Sequence, residues 1–387
     1  MGTEDVHIFA LAAHGQGLSG SDRIFIEFAR RWSKQLPVTI YVSLEGYRMC
    51  HRQHLDTRVK FRIIPAINYL ARIIEGIRTG LTLKLENSQY SIIYSASEFW
   101  MDSIPAWILK LRFPKAKWVA AWFQTAPNPG RGFSEGTREN RYIFKALLYF
   151  LVQLPVKPLI ANFADYVLVN NVLEQKQFNS LNVKERALVV SGAVDIESVE
   201  KWKTENRKLP KLYDAVFQGR FHPQKGVLEV IDIWRLVVDK EKSAKLVMIG
   251  DGSLMKDVQS KIKYLGLGQN IILTGYLFDG PKKYKIFAQS KLVLHPSFYD
   301  SGGMAAAEAM VFGLPCVGFD LDSYKSYYPK GMIKVTIGNL EKFANIVINL
   351  LNDQPTLNRI GKEGLDMINK NWSWDKRAGE ILNEIYR

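Results

Sequence analysis

The sequence predicts an α/β protein with two doubly wound domains, and three observations lead to this prediction. Short apolar segments that suit buried strands alternate with segments of helical period along the chain. The pattern stops in the lysine-rich polar stretch 201–210 and then starts again. A chain of 387 residues also exceeds one ordinary domain. We therefore predict a first domain over 1–205, a second over 206–370 and a terminal segment over 371–387.

The first half opens with a strand, a glycine-rich loop and a helix. The loop covers residues 14–23, and the helix over 22–32 has apolar residues at helical spacing. Because the strict dinucleotide fingerprint is absent, this opening favours a loop that faces a phosphate or sugar over an NAD site. Strands of this half are predicted at 6–13, 38–42, 61–64, 91–94, 118–122 and 166–169.

The second half is organised around a strand-loop-helix-strand unit over 290–319. Its polar loop, 295–303, lies between a buried strand and a helix over 304–312 that is rich in Ala and Met. Ligands of such sheets bind outside the carboxyl ends of the strands. The other predicted elements are strands at 215–217, 246–249, 271–273 and 315–319 and a helix at 226–238.

The loop at 295–303 carries the groups that would bind a ligand. The amides of Gly303, Met304 and Ala305 are predicted to point out of a helix N-terminus, which favours an anion. Two carboxylates flank them, Asp300 before the helix and Glu308 one turn inside it. A phosphate between groups that hold hydroxyls suits a sugar nucleotide. The alternative is an ordinary helix entry, with Asp300 as a cap and Glu308 in solvent.

A second set of charges follows the first strand of the second half. Arg220 ends that strand, and Lys225 comes just before the next helix. Both are predicted to lie at the same sheet edge as the Asp300 loop, where they would neutralise a diphosphate leaving group. The alternative is two solvated basic residues. A glycine turn at 250–253 is expected at this edge as well.

Charge and cysteine content narrow the class of protein. The net charge of +14 indicates an anionic partner. Cys50 and Cys316 have no metal-ligand spacing, so we expect free thiols in a reducing compartment. The acidic N-terminus predicts no secretory signal, and no apolar run is expected to span a membrane, since polar residues and prolines interrupt 143–160. These features predict a cytoplasmic protein.

With these motifs the second half resembles the donor domain of a GT-B-fold, retaining glycosyltransferase of family GT4. The resemblance extends over nearly the whole chain, to a helix opened by Trp374. It implies two Rossmann-like doubly wound domains facing a central cleft, with the C-terminal helix crossing back to the first domain. The matching residues are Gly219-Arg220 with Lys225, Gly250-Asp251-Gly252, Pro296-Ser297, Asp300 with Glu308, and Gly313-x-Pro315.

The resemblance also implies roles for individual residues. Asp300, Arg220 and Lys225 are the expected catalytic residues, and Ser19 and Gln124 are expected on the acceptor side. It implies a nucleotide-diphosphate sugar as co-substrate, a glycan or lipid-linked acceptor, no other cofactor, no metal, and front-face substitution with retained configuration. The expected donor-binding residues are Gly17, Gly20, Gly219, Arg220, Lys225, Gly250, Gly303, Met304, Ala305 and Glu308.

Three departures from the family pattern leave other functions open. Asp300 stands where the family has Glu, Ser301-Gly302-Gly303 replaces Gly-Phe-Gly, and Gln124 stands where many relatives carry His. Gln124 can hydrogen-bond a hydroxyl but cannot act as a base near neutral pH. The alternatives are a UDP-sugar epimerase of GT-B fold and a non-catalytic sugar-nucleotide-binding protein. The epimerase needs a first-domain carboxylate, for which Glu98 is the candidate, although we expect Glu98 at the surface.

The first half is also expected to dock on an anionic membrane surface at the cytoplasmic face, with no nucleic-acid partner. By count, residues 1–210 carry about 28 basic and about 19 acidic residues. Arg138, Arg141 and Lys145 lead into the apolar residues 149–152, a pattern typical of an interfacial helix. The alternative is that 143–154 is a core helix of the first domain.

Overall fold

The computed structural model describes residues 4–15, 17–55, 58–66, 68–86, 88–133, 142–179, 186–207 and 209–387. The chain forms two compact units, each built on one parallel sheet. The predicted α/β class with two Rossmann-like, doubly wound domains is confirmed. Unit 1 comprises Met1–Asn128, Lys145–Ser191 and Trp374–Arg387, and unit 2 comprises Pro129–Phe144 and Gly192–Ser373.

The sheet of unit 1 has the strand order β3-β2-β1-β4-β5-β6-β7, and its recorded pairings are parallel. The chain runs outward in one direction from β1 and in the other from β4, so the topological switch point lies between β1 and β4. The strands are β1 (Asp5–Phe9), β2 (Val38–Ser43), β3 (Val59–Ile64), β4 (Ser91–Ser95), β5 (Lys117–Trp122), β6 (Tyr166–Val169) and β7 (Ala187–Val189).

The helices around this sheet are amphipathic for the most part, and they bury apolar residues against it. The helices are α1 (Gly20–Trp32), α2 (Leu44–Arg52), α3 (Tyr69–Thr82), α4 (Trp100–Arg112), α5 (Ile143–Gln153), α6 (Val156–Phe163) and α7 (Val172–Asn179).

The strand predicted over 6–13 ends at Phe9, because the amide of Ala13 donates to the carbonyl of Ala10 and closes a turn.

The sheet of unit 2 has the order β10-β9-β8-β11-β12-β13, and its recorded pairings are also parallel. Its switch point lies between β8 and β11. The strands are β8 (Tyr213–Gln218), β9 (Leu246–Ile249), β10 (Ile271–Gly275), β11 (Ser290–His295), β12 (Cys316–Phe319) and β13 (Met332–Val335). The helices are α8 (Ile196–Glu205), α9 (Val227–Lys240), α10 (Met255–Tyr264), α11 (Pro281–Ala288), α12 (Met304–Met310), α13 (Asp322–Tyr327), α14 (Leu340–Asn352) and α15 (Gln354–Asn371).

The last helix, α16 (Trp374–Tyr386), belongs to unit 1 although it follows unit 2 in the chain. The indole Nε1 of Trp32 donates to the carbonyl oxygen of Ala378 at 3.0 Å. The Nε of Arg31 lies 3.1 Å from Oδ1 of Asp375. The predicted return of the terminal helix to the first domain is therefore confirmed.

The internal contacts divide the chain at Ser191 and at Ser373, whereas the sequence placed the boundaries at 205 and 370. Helix α8 accounts for the first difference. Its Trp202 packs against the rings of Tyr284 and Phe312 at centroid distances of 5.9 and 6.0 Å, so the helix is part of unit 2.

Two expectations about composition have different outcomes. Cys50 and Cys316 are both free and buried, so the expectation of no disulfide is confirmed. The expectation that no apolar run could span a membrane is wrong. Residues Ile143–Phe163 are long and apolar enough to cross one, because the few polar residues within the run do not offset its aliphatic and aromatic content.

Candidate functional site

The loops that follow β8 and β11 meet at the carboxyl edge of the unit 2 sheet. The two strands are neighbours, and Phe217 pairs with Leu294, so both strands end at the same level. At the end of β8, Nε2 of Gln218 donates to Oε2 of Glu308 at 2.5 Å. The switch point of the sheet, where open parallel sheets bind ligands, therefore carries the charged groups that the sequence predicted there.

Asp300 is the centre of a buried hydrogen-bond network at this edge. Its Oδ2 accepts from the ammonium of Lys225 and from the hydroxyl of Tyr324, the latter at 3.0 Å. Its Oδ1 accepts from the amides of Gly302 and Gly303 at 3.3 and 3.2 Å. The carboxylate thus joins the loop after β8, the start of α12 and helix α13.

These contacts keep Asp300 ionised despite its burial. Burial alone would raise its pKa, but the charge of Lys225 and hydrogen bonds from His295 and Lys225 hold the pKa well below the usual range. Burial also lowers the pKa of His295, whose Nε2 lies 3.6 Å from the same carboxylate. The alternative in which Lys225 is a solvated surface charge is wrong, because Lys225 is paired with Asp300.

The sequence predicts that three amides at the start of α12 face a ligand, and in the structure one of them bonds to the protein instead. The amide of Gly303, predicted to face a ligand, donates to Asp300 instead. Gly303 has a φ of +62°, and a Cβ there would lie 2.9 Å from Nε2 of His295, so a side chain is excluded on both counts. Among the described residues, no acceptor is recorded for the amides of Met304 and Ala305, and these two fit the predicted anion site.

Glu308 is held by two groups that the sequence did not single out. The ammonium of Lys283, on α11, lies 2.7 Å from Oε2 of Glu308, and Gln218 donates to the same oxygen. Lys283 is 3% exposed and also pairs with Asp279. The alternative in which Glu308 is simply solvated is therefore wrong. Only the position of Gln218, directly before the Gly219-Arg220 motif, gave a signal in the sequence.

Arg220 and the two glycine turns complete this edge. The Arg220 side chain is exposed, and among the described residues it has no recorded partner. The amide of Gly219 donates to the carbonyl of Ile249, which brings the turn after β9 against the loop after β8. A Cβ on Gly250 would lie 1.9 Å from the carbonyl oxygen of Gly219, so this approach requires glycine.

The glycine-rich loop of unit 1 leads into α1 through a capping box. Oγ of Ser19 accepts from the amide of Asp22, whose Oδ2 accepts from the amide and hydroxyl of Ser19. Gly17 is an exposed residue of the loop, and Gly20 is the first residue of α1. The Ser19 hydroxyl, predicted to face the acceptor, therefore has a structural role at the helix start.

Gln124 follows β5, and Glu98 follows the neighbouring strand β4. Nε2 of Gln124 is buried, with no hydrogen-bond partner among the described residues. The expected surface position of Glu98 is wrong: it is 4% exposed, because Tyr149 of α5 covers it and donates to its Oε1 at 2.7 Å. Burial raises the pKa of Glu98 to about 7, so this carboxyl titrates near neutral pH.

Candidate metal ligands do not cluster in the part of the chain that the structure describes: no group of three or more His, Cys, Asp or Glu side chains is found there. The cations at the site of unit 2 are instead Arg220, Lys225 and Lys283.

A comparison with known protein families matches one part of the chain, and that part lies in unit 2. Residues 198–367 match the model of the family Glycosyl transferases group 1, which is less than half of the chain and lies within unit 2. The match includes every predicted donor-site residue of unit 2.

Two curated proteins are similar over less than half of the chain. The poly(glycerol-phosphate) alpha-glucosyltransferase of Bacillus subtilis is 27% identical over 161 residues, which is 41% of this chain and 24% of that protein. The poly(ribitol-phosphate) alpha-N-acetylglucosaminyltransferase of Staphylococcus aureus is 26% identical over 172 residues, or 43% of this chain and 34% of that protein. The chain thus spans about a quarter to a third of their length.

The fold is similar over the whole chain to that of Anabaena HepE, solved in complex with UDP and glucose. The TM-score is 0.75 at 15% identity, with all of both chains covered. This likeness shows the GT-B fold. Together with the family match it supports a group 1 glycosyltransferase.

Proposed function

We propose that this protein is a retaining, metal-independent glycosyltransferase of family GT4. It transfers a sugar from a nucleotide-diphosphate sugar to a glycan or lipid-linked acceptor. The observation that carries the proposal is the convergence of Lys225, Asp300, Gln218 and Glu308 at the switch point of unit 2, through contacts that link the loops after β8 and β11. The exposed guanidinium of Arg220 lies on the first of these loops.

Each group has a role in binding the donor. A carboxylate fixed by Lys283 and Gln218, as Glu308 is, suits the two neighbouring hydroxyls of a ribose. Arg220 and Lys225 neutralise the diphosphate, and the amides of Met304 and Ala305 add hydrogen bonds to it. Because Gly219 and Gly250 carry no side chain, the backbone of their loops can lie close to the bound donor.

The reaction is a front-face substitution at the anomeric carbon. The bond from this carbon to the diphosphate oxygen breaks while the acceptor oxygen attacks from the same face, and the acceptor proton passes to the departing phosphate. Positive charge at Arg220 and Lys225 stabilises the leaving group in the transition state. Asp300 keeps Lys225 in position, and contact between Asp300 and a donor-sugar hydroxyl stays a prediction.

Similar proteins suggest the chemistry of both substrates. The HepE structure contains UDP and glucose, and the two curated relatives are named for transfer of glucose and N-acetylglucosamine to polyol-phosphate polymers. We therefore take UDP-hexoses as the first donors to test. An anionic acceptor suits a chain with a net charge of +14.

Unit 1 provides the acceptor side of the proposed enzyme. Gln124, whose side-chain nitrogen is buried and unpaired among the described residues, can donate to an acceptor or sugar hydroxyl. Ser19 is the second residue assigned to this side, and Gly17 and Gly20 of the same loop are assigned to the donor. A cytoplasmic location, peripheral to the membrane, agrees with two buried free thiols.

Two measurements test the function. Calorimetry with UDP, GDP and ADP identifies the nucleoside diphosphate, and Glu308→Ala should weaken its binding. Incubation with labelled UDP-sugars and an acceptor then separates three outcomes. Transfer supports the proposal, whereas epimerisation of the donor or binding without turnover contradicts it. Transfer should persist in EDTA, since basic side chains stabilise the leaving group, and a strict need for added Mg²⁺ or Mn²⁺ contradicts metal independence.

A further inference from the structure

Helix α5 exposes a continuous apolar stripe to solvent. Leu147, Leu148 and Leu151 of α5 and Leu154, directly after its last residue, are 37%, 49%, 49% and 57% exposed. Leu151 lies three or four residues from each of the other three. Residues at this spacing lie on one side of a helix. We call these four leucines the outer face of α5. A stripe of this kind on a protein surface marks an interaction site, because exposure of four neighbouring leucines is otherwise unfavourable.

The exposed face belongs to a segment with the composition of a membrane helix. Ile143–Phe163 is long and apolar enough to cross a membrane, yet only 22% of its most apolar stretch of 18 residues is buried in the protein. Within α5 only Ala146 and Gln153 are buried. The alternative of a core helix is therefore wrong, since a core helix would bury its leucines.

The opposite side of α5 is polar and bonded to the loops that follow β4 and β5. The hydroxyl of Tyr149 donates to Glu98 at 2.7 Å and to the carbonyl of Gln124 at 3.0 Å. Nε2 of Gln153 donates to the same carbonyl at 2.7 Å, while its Oε1 accepts from the amide of Ala126 at 2.6 Å. This inner edge holds α5 against the loop that carries Gln124.

These bonds decide how α5 can meet a bilayer. A helix that spans the hydrocarbon has to leave Tyr149 and Gln153 without these partners, which is costly where no water is present. The segment also turns between α5 and α6, at Leu154 and Pro155. A helix that keeps its inner edge on the protein and presents its leucines outward matches an interfacial helix, which lies in the plane of the membrane.

We propose that α5 docks unit 1 onto an anionic lipid bilayer through its outer face. Charge complementarity identifies the anionic surface as the partner. Between residues 131 and 157 the sequence has five basic residues and two acidic ones, and the whole chain carries +14. Lys145 is exposed on α5 itself, whereas Arg138 and Arg141 of the sequence prediction lie outside the described residues. Membrane docking does not depend on the proposed function. The further conclusion that the acceptor is lipid-linked does rest on it.

Vesicle flotation of the full chain tests this proposal. We expect the protein to float with vesicles of phosphatidylcholine and phosphatidylglycerol at low salt, and to float less with phosphatidylcholine alone. Leu151→Glu should reduce the apparent affinity for the mixed vesicles by about tenfold, since an apolar side chain no longer leaves water. The matched control is Leu212→Glu, at a leucine of unit 2 that is 52% exposed, and it should float like the wild type.

Three results overturn the proposal: no flotation of the wild type on the mixed vesicles, normal flotation of Leu151→Glu, or equal losses in both variants. The Leu151→Trp variant provides a second measurement, which remains informative if Leu151→Glu fails to fold. Brominated lipid in the mixed vesicles should quench its fluorescence more than that of the wild type, which has nine tryptophans of its own, and equal quenching counts against the proposal. Binding of nucleoside diphosphate, measured separately, tells failure of membrane docking from failure of the proposed enzyme.

Discussion

The ammonium of Lys283 lies 2.7 Å from Oε2 of Glu308, and both side chains sit at the carboxyl edge of the unit 2 sheet. Because Lys283 is 3% exposed and also pairs with Asp279, it holds the Glu308 carboxylate in one orientation. We expect Lys283→Met to lower the affinity for the nucleoside diphosphate by about tenfold, or about 1.4 kcal/mol. Calorimetry with the nucleotide alone measures this.

The neighbouring Lys282 provides the control for this substitution. It is exposed on the same helix, so Lys282→Met should bind the nucleotide as tightly as the wild type. Equal affinity in the two variants means that Lys283 has no part in orienting Glu308.

Asp300 should contribute to the stability of unit 2 as well as to activity. Asp300→Asn leaves the largely buried ammonium of Lys225 without its counter-charge, and loss of such a partner lowers the free energy of unfolding by about 3 kcal/mol near neutral pH. Because the folded pKa of Asp300 is depressed, its contribution is complete above the ordinary carboxyl pKa of about 4. It is lost as the pH falls below that value.

Urea unfolding at about pH 6 and about pH 3 checks this dependence. The gap in stability between wild type and Asp300→Asn should narrow at the lower pH. Asp366→Asn, at an exposed aspartate of the same unit, should match the wild type at both. A gap that stays constant or widens on acidification contradicts the assignment.

Arg220 should act on turnover and leave stability unchanged. Its side chain is exposed and has no recorded partner among the described residues, so Arg220→Ala removes no contact that supports the fold. Loss of one group that stabilises the leaving diphosphate should cost about 2–4 kcal/mol of transition-state energy, which lowers kcat about a hundredfold or more. Steady-state kinetics with thermal unfolding measures both, and Arg207→Ala serves as the exposed control. A normal kcat in Arg220→Ala removes Arg220 from the mechanism.

Glu98 should make unit 1 less stable as the pH rises. Its folded pKa is raised to about 7, so between its ordinary value and pH 7 the folded protein keeps a proton that the unfolded chain has lost. The stabilisation is complete below about pH 4 and is lost as the pH passes about 7, a change on the order of 3 kcal/mol. Glu98→Gln stays neutral and should lose less stability between about pH 5 and about pH 8.

Unfolding of both proteins across that range is the measurement. Glu86→Gln, at an exposed glutamate of unit 1, should follow the wild type. If Glu98→Gln and the wild type lose stability in parallel, the Glu98 carboxyl is ionised in the folded protein throughout.

Most strands were predictable because each is a short apolar run that a buried parallel sheet requires. The central strands β8, β9 and β11 were found at nearly their observed positions. Strand β13 was missed, since Lys334 interrupts an edge strand of only Met332–Val335. The strand predicted over 6–13 was too long, because composition does not reveal that the chain turns after Phe9.

Site residues could be predicted where they belong to a motif that is continuous in the sequence. They could not be predicted where their contacts depend on how distant segments pack. The positions of Arg220, Lys225, Asp300 and Glu308 at one sheet edge follow from which strands end beside them. No local pattern shows that Lys283, one lysine in a run of basic residues, is the buried partner of Glu308. The burial of Glu98 was equally hidden, because it depends on α5, which is distant in sequence.

The place of α16 in the chain has a consequence for synthesis. Unit 2 uses residues from Pro129 to Ser373, so its last residue is synthesised before helix α16. Unit 1 begins the chain but needs Ala378 to accept the hydrogen bond from the indole of Trp32. The usual order, in which the N-terminal domain folds first during translation, is therefore reversed at its last step. A chain that ends before α16 therefore contains every residue of unit 2 but lacks the segment of unit 1 that bonds to Trp32.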